Sequence, residues 1–129
     1  MSSRTELRVN FGDTDAMGIV YYANYLRFFE AGRGDLLRKG GLPYRDLFDR
    51  GVMMPVVEQW WRYRAPARFD DEIVVTTWIH EVGHASLLVG GELHRDSELL
   101  GQGAVRLACT GRDGRPVPLP EEIRRVVAP

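Results

Sequence analysis

Residues 11–41 read Phe11-Gly-Asp13-Thr-Asp15-Ala-Met-Gly18-Ile-Val-Tyr-Tyr22-Ala-Asn-Tyr25-Leu-Arg-Phe-Phe-Glu30-Ala-Gly-Arg33-Gly-Asp-Leu-Leu-Arg-Lys39-Gly-Gly41, a carboxylate-bearing loop that runs into the longest helical pattern of the chain. At about 100° per residue, Tyr22, Tyr25, Leu26, Phe28, Phe29, Leu36 and Leu37 share one broad face, and Asn24, Arg27, Ala31, Gly34 and Arg38 share the other. A helix with so wide an apolar face is a core helix. Gly40-Gly41 and Pro43 stop it, with Arg38 and Lys39 in the last turn, where cations suit the helix dipole. Gly32 and Gly34 each cost about 1 kcal/mol relative to Ala inside a helix, so a closely approaching backbone should offset them. Arg33 projects into the apolar face and calls for a carboxylate, with Glu30 at i−3 the nearest.

Asp13, Thr14 and Asp15 are all good N-caps, and capping the helix or a short turn before it would account for any one of them. A carboxylate beside unspent helix N–H groups has a second use. It supplies a base or nucleophile next to donors that hold a developing oxyanion.

Outward from this stretch, Leu7, Val9 and Phe11 alternate with Arg8 and Asn10 and predict a first strand over residues 6–11. Tyr44 to Arg50 reads as a short helical turn closed by Gly51. Val52 to Tyr63 reads as a strand with Val57, Gln59, Trp61 and Tyr63 on one face and Val56, Glu58, Trp60, Arg62 and Arg64 on the other. Adjacent tryptophans on opposite faces point to a sheet covered on both sides, by the helix and by another subunit. Strands follow over Glu72–Val82, where Ile73 to Thr77 is β-branched throughout, Ala85–His94, and about Leu99 to Thr110. Gly90, Gly91, Gly101 and Gly103 within them predict bulges or close approach. The stretch from Pro118 to Val127 holds at most a short helix. One strand, one long helix and then a run of strands make an α+β domain over residues 1–129, a helix cradled by an antiparallel sheet.

With 129 residues the chain can bury a core without staples, and 17 basic against 18 acidic residues leave a net charge of −1, so no global field recruits nucleic acid or an anionic membrane. Met-Ser-Ser-Arg-Thr-Glu lacks an apolar signal core and no run approaches a membrane span, so the expected compartment is the cytoplasm. Cys109 is the only cysteine, which excludes an intrachain disulfide and reads as a small buried hydrophobe. His80, His84 and His94 have no metal-ligand spacing, and no phosphate loop or Gly-x-Ser-x-Gly elbow occurs. No metal and no cofactor are expected, and carboxylate chemistry is what remains.

The run from Phe11 to Tyr25, with Phe29-Glu-Ala-Gly-Arg33, Gly41-Leu-Pro43, Pro55-Val-Val-Glu-Gln59, Ala65-Pro-Ala-Arg-Phe-Asp70 and Pro120-Glu-Glu-Ile123, resembles the hot-dog-fold thioesterases of the 4-hydroxybenzoyl-CoA type and the related Tol–Pal-associated acyl-CoA thioesterases. The resemblance implies a long central helix wrapped by a five-stranded antiparallel sheet. It also implies a homo-oligomer, dimer or tetramer, with active sites at the dimer interface, and hydrolysis of an acyl-CoA in which coenzyme A is part of the substrate. It assigns the catalytic carboxylate to Asp15 and the carbonyl-polarising amide to about Tyr22, where Tol–Pal-type members commonly carry His. A backbone role survives that change. Gly18, Tyr25, Glu58 and Trp60 are the candidate substrate-binding residues, with Glu58 either an ion-pair partner or part of the acyl pocket. Arg62, Arg64, Arg68 and Arg106 are equally suited to coenzyme A phosphates or to a solvated strand face. The alternative of a different class is a non-catalytic acyl-CoA-binding module on the same fold.

Overall fold

Helix α1, Asn24–Lys39, lies along one face of a single five-stranded sheet. The strands are β1 (Ser2–Arg8), β2 (Val56–Tyr63), β3 (Glu72–Val82), β4 (Ser86–Arg95) and β5 (Glu98–Ala108), all antiparallel in the order β1-β3-β4-β5-β2. Short helices α2 (Tyr44–Asp49) and α3 (Glu121–Val127) follow α1 and β5. This computed structural model describes residues 1–127. It is the α+β architecture expected, a central helix wrapped by five antiparallel strands.

The apolar stripe of α1 is buried as its period requires, with Tyr25, Phe28, Phe29, Leu36 and Leu37 in the core. Two clusters share its length. Val9, Val20, Ile73, Val75, Leu93 and Leu100 surround the N-terminal half, and Leu87, Val89, Val105, Leu107 and Ile123 surround the rest. Trp61 packs against both.

Gly32 is where helix and sheet close up: a Cβ there would lie 2.8 Å from Val75 Cγ1 and 2.9 Å from Thr77 Cγ2. The Gly32 carbonyl accepts the Thr77 hydroxyl at 3.1 Å. Gly34 is buried rather than outward-facing, but beneath the guanidinium of Arg38 and not against backbone. Gly91 makes room for Phe29, Gly90 for Trp78 on the opposite face and Gly101 for the Trp61 indole, so these three are seats for aromatic rings, while Gly103 meets the Trp60 carbonyl as well as the Trp61 ring, the close backbone approach expected there.

Several expectations are corrected. Arg33 is buried, yet Glu30 is exposed and Arg33 forms no ion pair among the described residues; its guanidinium stacks over the Phe29 ring at 5.3 Å and its Nε has no partner. Tyr22 precedes the helix and is 62% exposed. The first strand spans Ser2–Arg8 rather than residues 6–11; before the inward Leu7 its inward residues are the polar Ser3 and Thr5, which leave no apolar alternation to read there. Thr5 donates its hydroxyl to Asp35 of α1 at 2.6 Å. Phe11 lies in a 3-10 turn, packed edge-on against Phe69. The second strand starts at Val56 because Pro55 has no N–H for the ladder, leaving Met53 only an isolated bridge to Thr110.

Candidate active site

The loop before α1 is built around Asp13. Its buried carboxylate accepts the Asn10 amide at 2.8 Å and pairs with Arg27. Its carbonyl accepts the Tyr21 amide and the Asn24 side chain, both at 2.9 Å. Asp13 therefore ties the loop to the first turn of α1 from the side. Neither Asp13 nor Asp15 caps that helix, whose N-cap is Ala23 with no side-chain bond.

Asp15 does something else. The segment from Thr14 to Val20 is a tight hairpin closed by Asp15 N–H donating to Ile19 C=O and Gly18 N–H to Asp15 C=O, both 2.9 Å. Gly18 has φ +80°, the left-handed conformation that such a type I turn with a following bulge needs. Asp15 Oδ1 accepts the Met17 amide at 2.8 Å, an Asx turn that fixes the carboxylate and leaves its second oxygen free of that bond. Val20 N–H then reaches Ala67 C=O at 2.8 Å, pinning the hairpin to the chain beyond β2.

These constraints wall an apolar cavity of about 380 Å³ with Asp15, Met17, Ile19, Val20, Tyr22, Tyr25, Tyr63, Arg64, Ala65 and Pro66. Two of its tyrosines turn their hydroxyls to backbone: Tyr25 accepts the Ala67 amide at 2.9 Å and Tyr63 donates to Tyr22 C=O at 2.7 Å. Their ring faces are what the cavity sees. Burial, and then the neighbouring Tyr25 and Tyr22, hold the Tyr63 phenol above its ordinary pKa. The Tyr21 phenol is also raised, first by the Tyr22 hydroxyl beside it and least by the charge of Asp15. At the start of α1, Asn24 N–H is spent on Tyr21 C=O and Leu26 N–H on Ala23 C=O. The Tyr22 and Ala23 amides have no backbone acceptor among the described residues.

The structure thus brings Asp15, Tyr22 and Tyr25 to one cavity, with Gly18 shaping the turn that presents Asp15. Glu58 and Trp60 lie elsewhere. Glu58 accepts Arg106 Nε at 2.9 Å on the sheet face away from α1. Trp60, 52% exposed, borders a separate groove there with Trp78, Leu88 and Gly90. Tyr63, Ala65 and Pro66 are lining residues the sequence reading did not select. Pro66 was the available signal, since it marks where the chain leaves the sheet beneath the loop.

The comparisons with known proteins agree with this architecture. The thioesterase-like superfamily matches residues 9–127. The acyl-CoA thioesterase YbgC of Haemophilus influenzae is 34% identical over 120 residues, covering 92% of this chain and 88% of the relative. A solved structure of the hypothetical protein TT1821 from Thermus thermophilus superposes with a TM-score of 0.92 at 38% identity, over 98% of this chain and 95% of that one. The DHNA-CoA thioesterase from Staphylococcus aureus gives a TM-score of 0.92 at 27% identity, over 97% and 90%. A long helix wrapped by five antiparallel strands, an Asp-x-Asp loop at its start and a match over nearly every described residue lead to one assignment: the chain belongs to the thioesterase-like superfamily of hot-dog proteins.

Proposed function

We propose that this protein hydrolyses an acyl-CoA thioester to the free acid and coenzyme A, with Asp15 as the reacting carboxylate. One observation carries the reading: the free carboxylate edge of Asp15 and Tyr22, whose amide is unspent just before α1, border the same apolar cavity. A thioester carbonyl seated there has donors for its oxygen and a carboxylate for its carbon. Asp15 either takes the proton of an attacking water or attacks the carbonyl itself and releases the acyl group to water. Either way a tetrahedral oxyanion forms, the C–S bond breaks, and the thiolate of coenzyme A leaves and is protonated.

The part of the acyl group next to the thioester meets an apolar wall, because the Tyr25 and Tyr63 hydroxyls are committed to backbone. The reaction needs no metal or organic cofactor in this scheme. The expected setting is the cytoplasm; no helix among the described residues is long and apolar enough to cross a membrane. We also propose a homo-oligomer, a dimer or a tetramer, since β2 is a sheet edge that exposes Val56, Val57, Trp60 and Tyr63.

The test is a pair of variants. Asp15→Asn keeps the turn-forming oxygen but can neither accept a proton nor act as an effective nucleophile, so kcat should fall by about 10²-fold or more with the fold intact. Asp13→Asn breaks the pair with Arg27 and should lower the melting midpoint while the folded fraction turns over normally. An Asp15→Asn enzyme within a few-fold of wild type would move the reading to a non-catalytic acyl-CoA-binding module.

A further inference from the structure

Arg64 stands where strand alternation does not put it. Along β2, Trp61 and Tyr63 face the helix, while Trp60 and Arg62 face the outer groove, so the next residue should point outward with Arg62. Instead Arg64 and Tyr63 border the same cavity as Asp15. The cause is a break in the ladder: the amides of Arg64 and Ala65 both donate to Leu100 C=O, at 2.8 and 3.2 Å, so two residues share the position of one and the strict alternation of β2 ends at Tyr63.

Arg64 is also unengaged. Arg8, Arg27, Arg38, Arg50, Arg95 and Arg106 each hold a carboxylate, whereas Arg64 forms no ion pair among the described residues and is exposed. A guanidinium at the wall of an otherwise apolar cavity, where Asp15 is the one lining carboxylate and no ion pair to it forms among the described residues, presents a fork of donors to whatever enters.

We infer that Arg64 binds an oxyanion carried by the substrate away from its thioester, either a phosphate of coenzyme A or a carboxylate at the far end of the acyl group. This rests on the proposed thioesterase reading for the identity of the occupant. Both groups offer oxygens spaced for bidentate pairing with the guanidinium, which a neutral ligand lacks.

Thioether analogues separate the sources, because they cannot be hydrolysed by any variant. Calorimetric titration would compare S-hexyl-coenzyme A, S-hexyl-pantetheine, which lacks phosphates, and S-(5-carboxypentyl)-coenzyme A on wild type, Arg64→Ala and Arg64→Lys. Arg64→Ala should weaken an anion-bearing probe by about tenfold or more and leave S-hexyl-pantetheine within about twofold, with partial recovery in Arg64→Lys. Loss confined to the two coenzyme A probes in equal measure identifies the phosphate, and loss confined to the carboxylate-tailed probe identifies the acyl terminus. Affinities within about twofold for every probe, equal loss on S-hexyl-pantetheine, or a wild type that binds none of the three would overturn the inference. A protein that binds through Arg64 but turns over no thioester would defeat the proposed activity and leave this inference standing.

Discussion

Arg33 shows how a single residue can be read correctly for place and wrongly for company. The helical period puts it on the apolar face, and it is buried, but its guanidinium lies over Phe29 with Nε unpartnered instead of pairing with Glu30. A buried cation without a counter-charge contributes little net stability, and an apolar replacement of similar length avoids its desolvation. Arg33→Met should therefore leave the melting midpoint unchanged or raise it; a drop of several degrees would show that Arg33 holds an acceptor that this chain alone does not display. Asp13 and Asp15 make the complementary case. As N-caps they are interchangeable on paper, because capping preference scores only residue type. What separates them is tertiary: Arg27, three residues into α1, claims Asp13, while the Met17 amide and the Gly18 turn hold Asp15 toward the cavity.

At the scale of elements, the two glycines of α1 give opposite expectations although helix propensity treats them alike. Gly32→Ala drives a methyl into Val75 and Thr77 of β3, within 2.9 Å of both, so it should destabilise by about 1–3 kcal/mol despite the better propensity of Ala. Gly34→Ala meets only the guanidinium end of Arg38 at 3.3 Å, which can swing away, and should stabilise by up to about 1 kcal/mol. Urea titrations of the two variants would check the pair, and equal shifts would mean that the helix does not lie this close to the sheet. The contact between α1 and β1 titrates. The Thr5 hydroxyl, and next Arg38, hold the Asp35 carboxyl below its ordinary range. A lowered folded value means stability that is present above the ordinary carboxylate pKa and lost as pH falls through the folded one. The gap in melting midpoint between wild type and Asp35→Asn should thus close below about pH 4; a gap constant to lower pH would remove Asp35 from the docking of β1. Helix α1 and strand β3 were legible because an apolar period or a β-branched run announces them. Strand β1 was legible only over Glu6–Arg8, because Ser3 and Thr5 are the inward residues of its first half.

For the whole molecule, the sheet ends in two unlike edges. Strand β1 carries Arg4, Glu6 and Arg8, a charged edge that discourages pairing. Strand β2 is bordered on one side only, by β5, and leaves Val56, Val57, Trp60 and Tyr63 each more than 40% exposed. Light scattering at micromolar concentration should accordingly give a mass of at least twice 14.7 kDa, and a monomer would contradict it. The site itself was only half legible at this scale. Its motif, residues 13–25, stands out in the chain, but its other wall, residues 63–66, follows about forty residues later and is joined to it by contacts such as Tyr63 to Tyr22 and Ala67 to Tyr25 that no local pattern encodes. The same joining gives the protein a built-in optical reporter. Trp61 packs on both core clusters, 6.4 Å from the ring of Tyr25, and its indole nitrogen has no hydrogen bond among the described residues. Its emission should sit at the blue edge of the spectrum and be fed by energy transfer from the nearby tyrosines, whereas Trp60 and Trp78 lie across the sheet in the outer groove. A ligand that presses on Tyr25 would then change the Trp61 emission while leaving that of Trp60 and Trp78 unchanged, so occupancy of the cavity can be followed without a label.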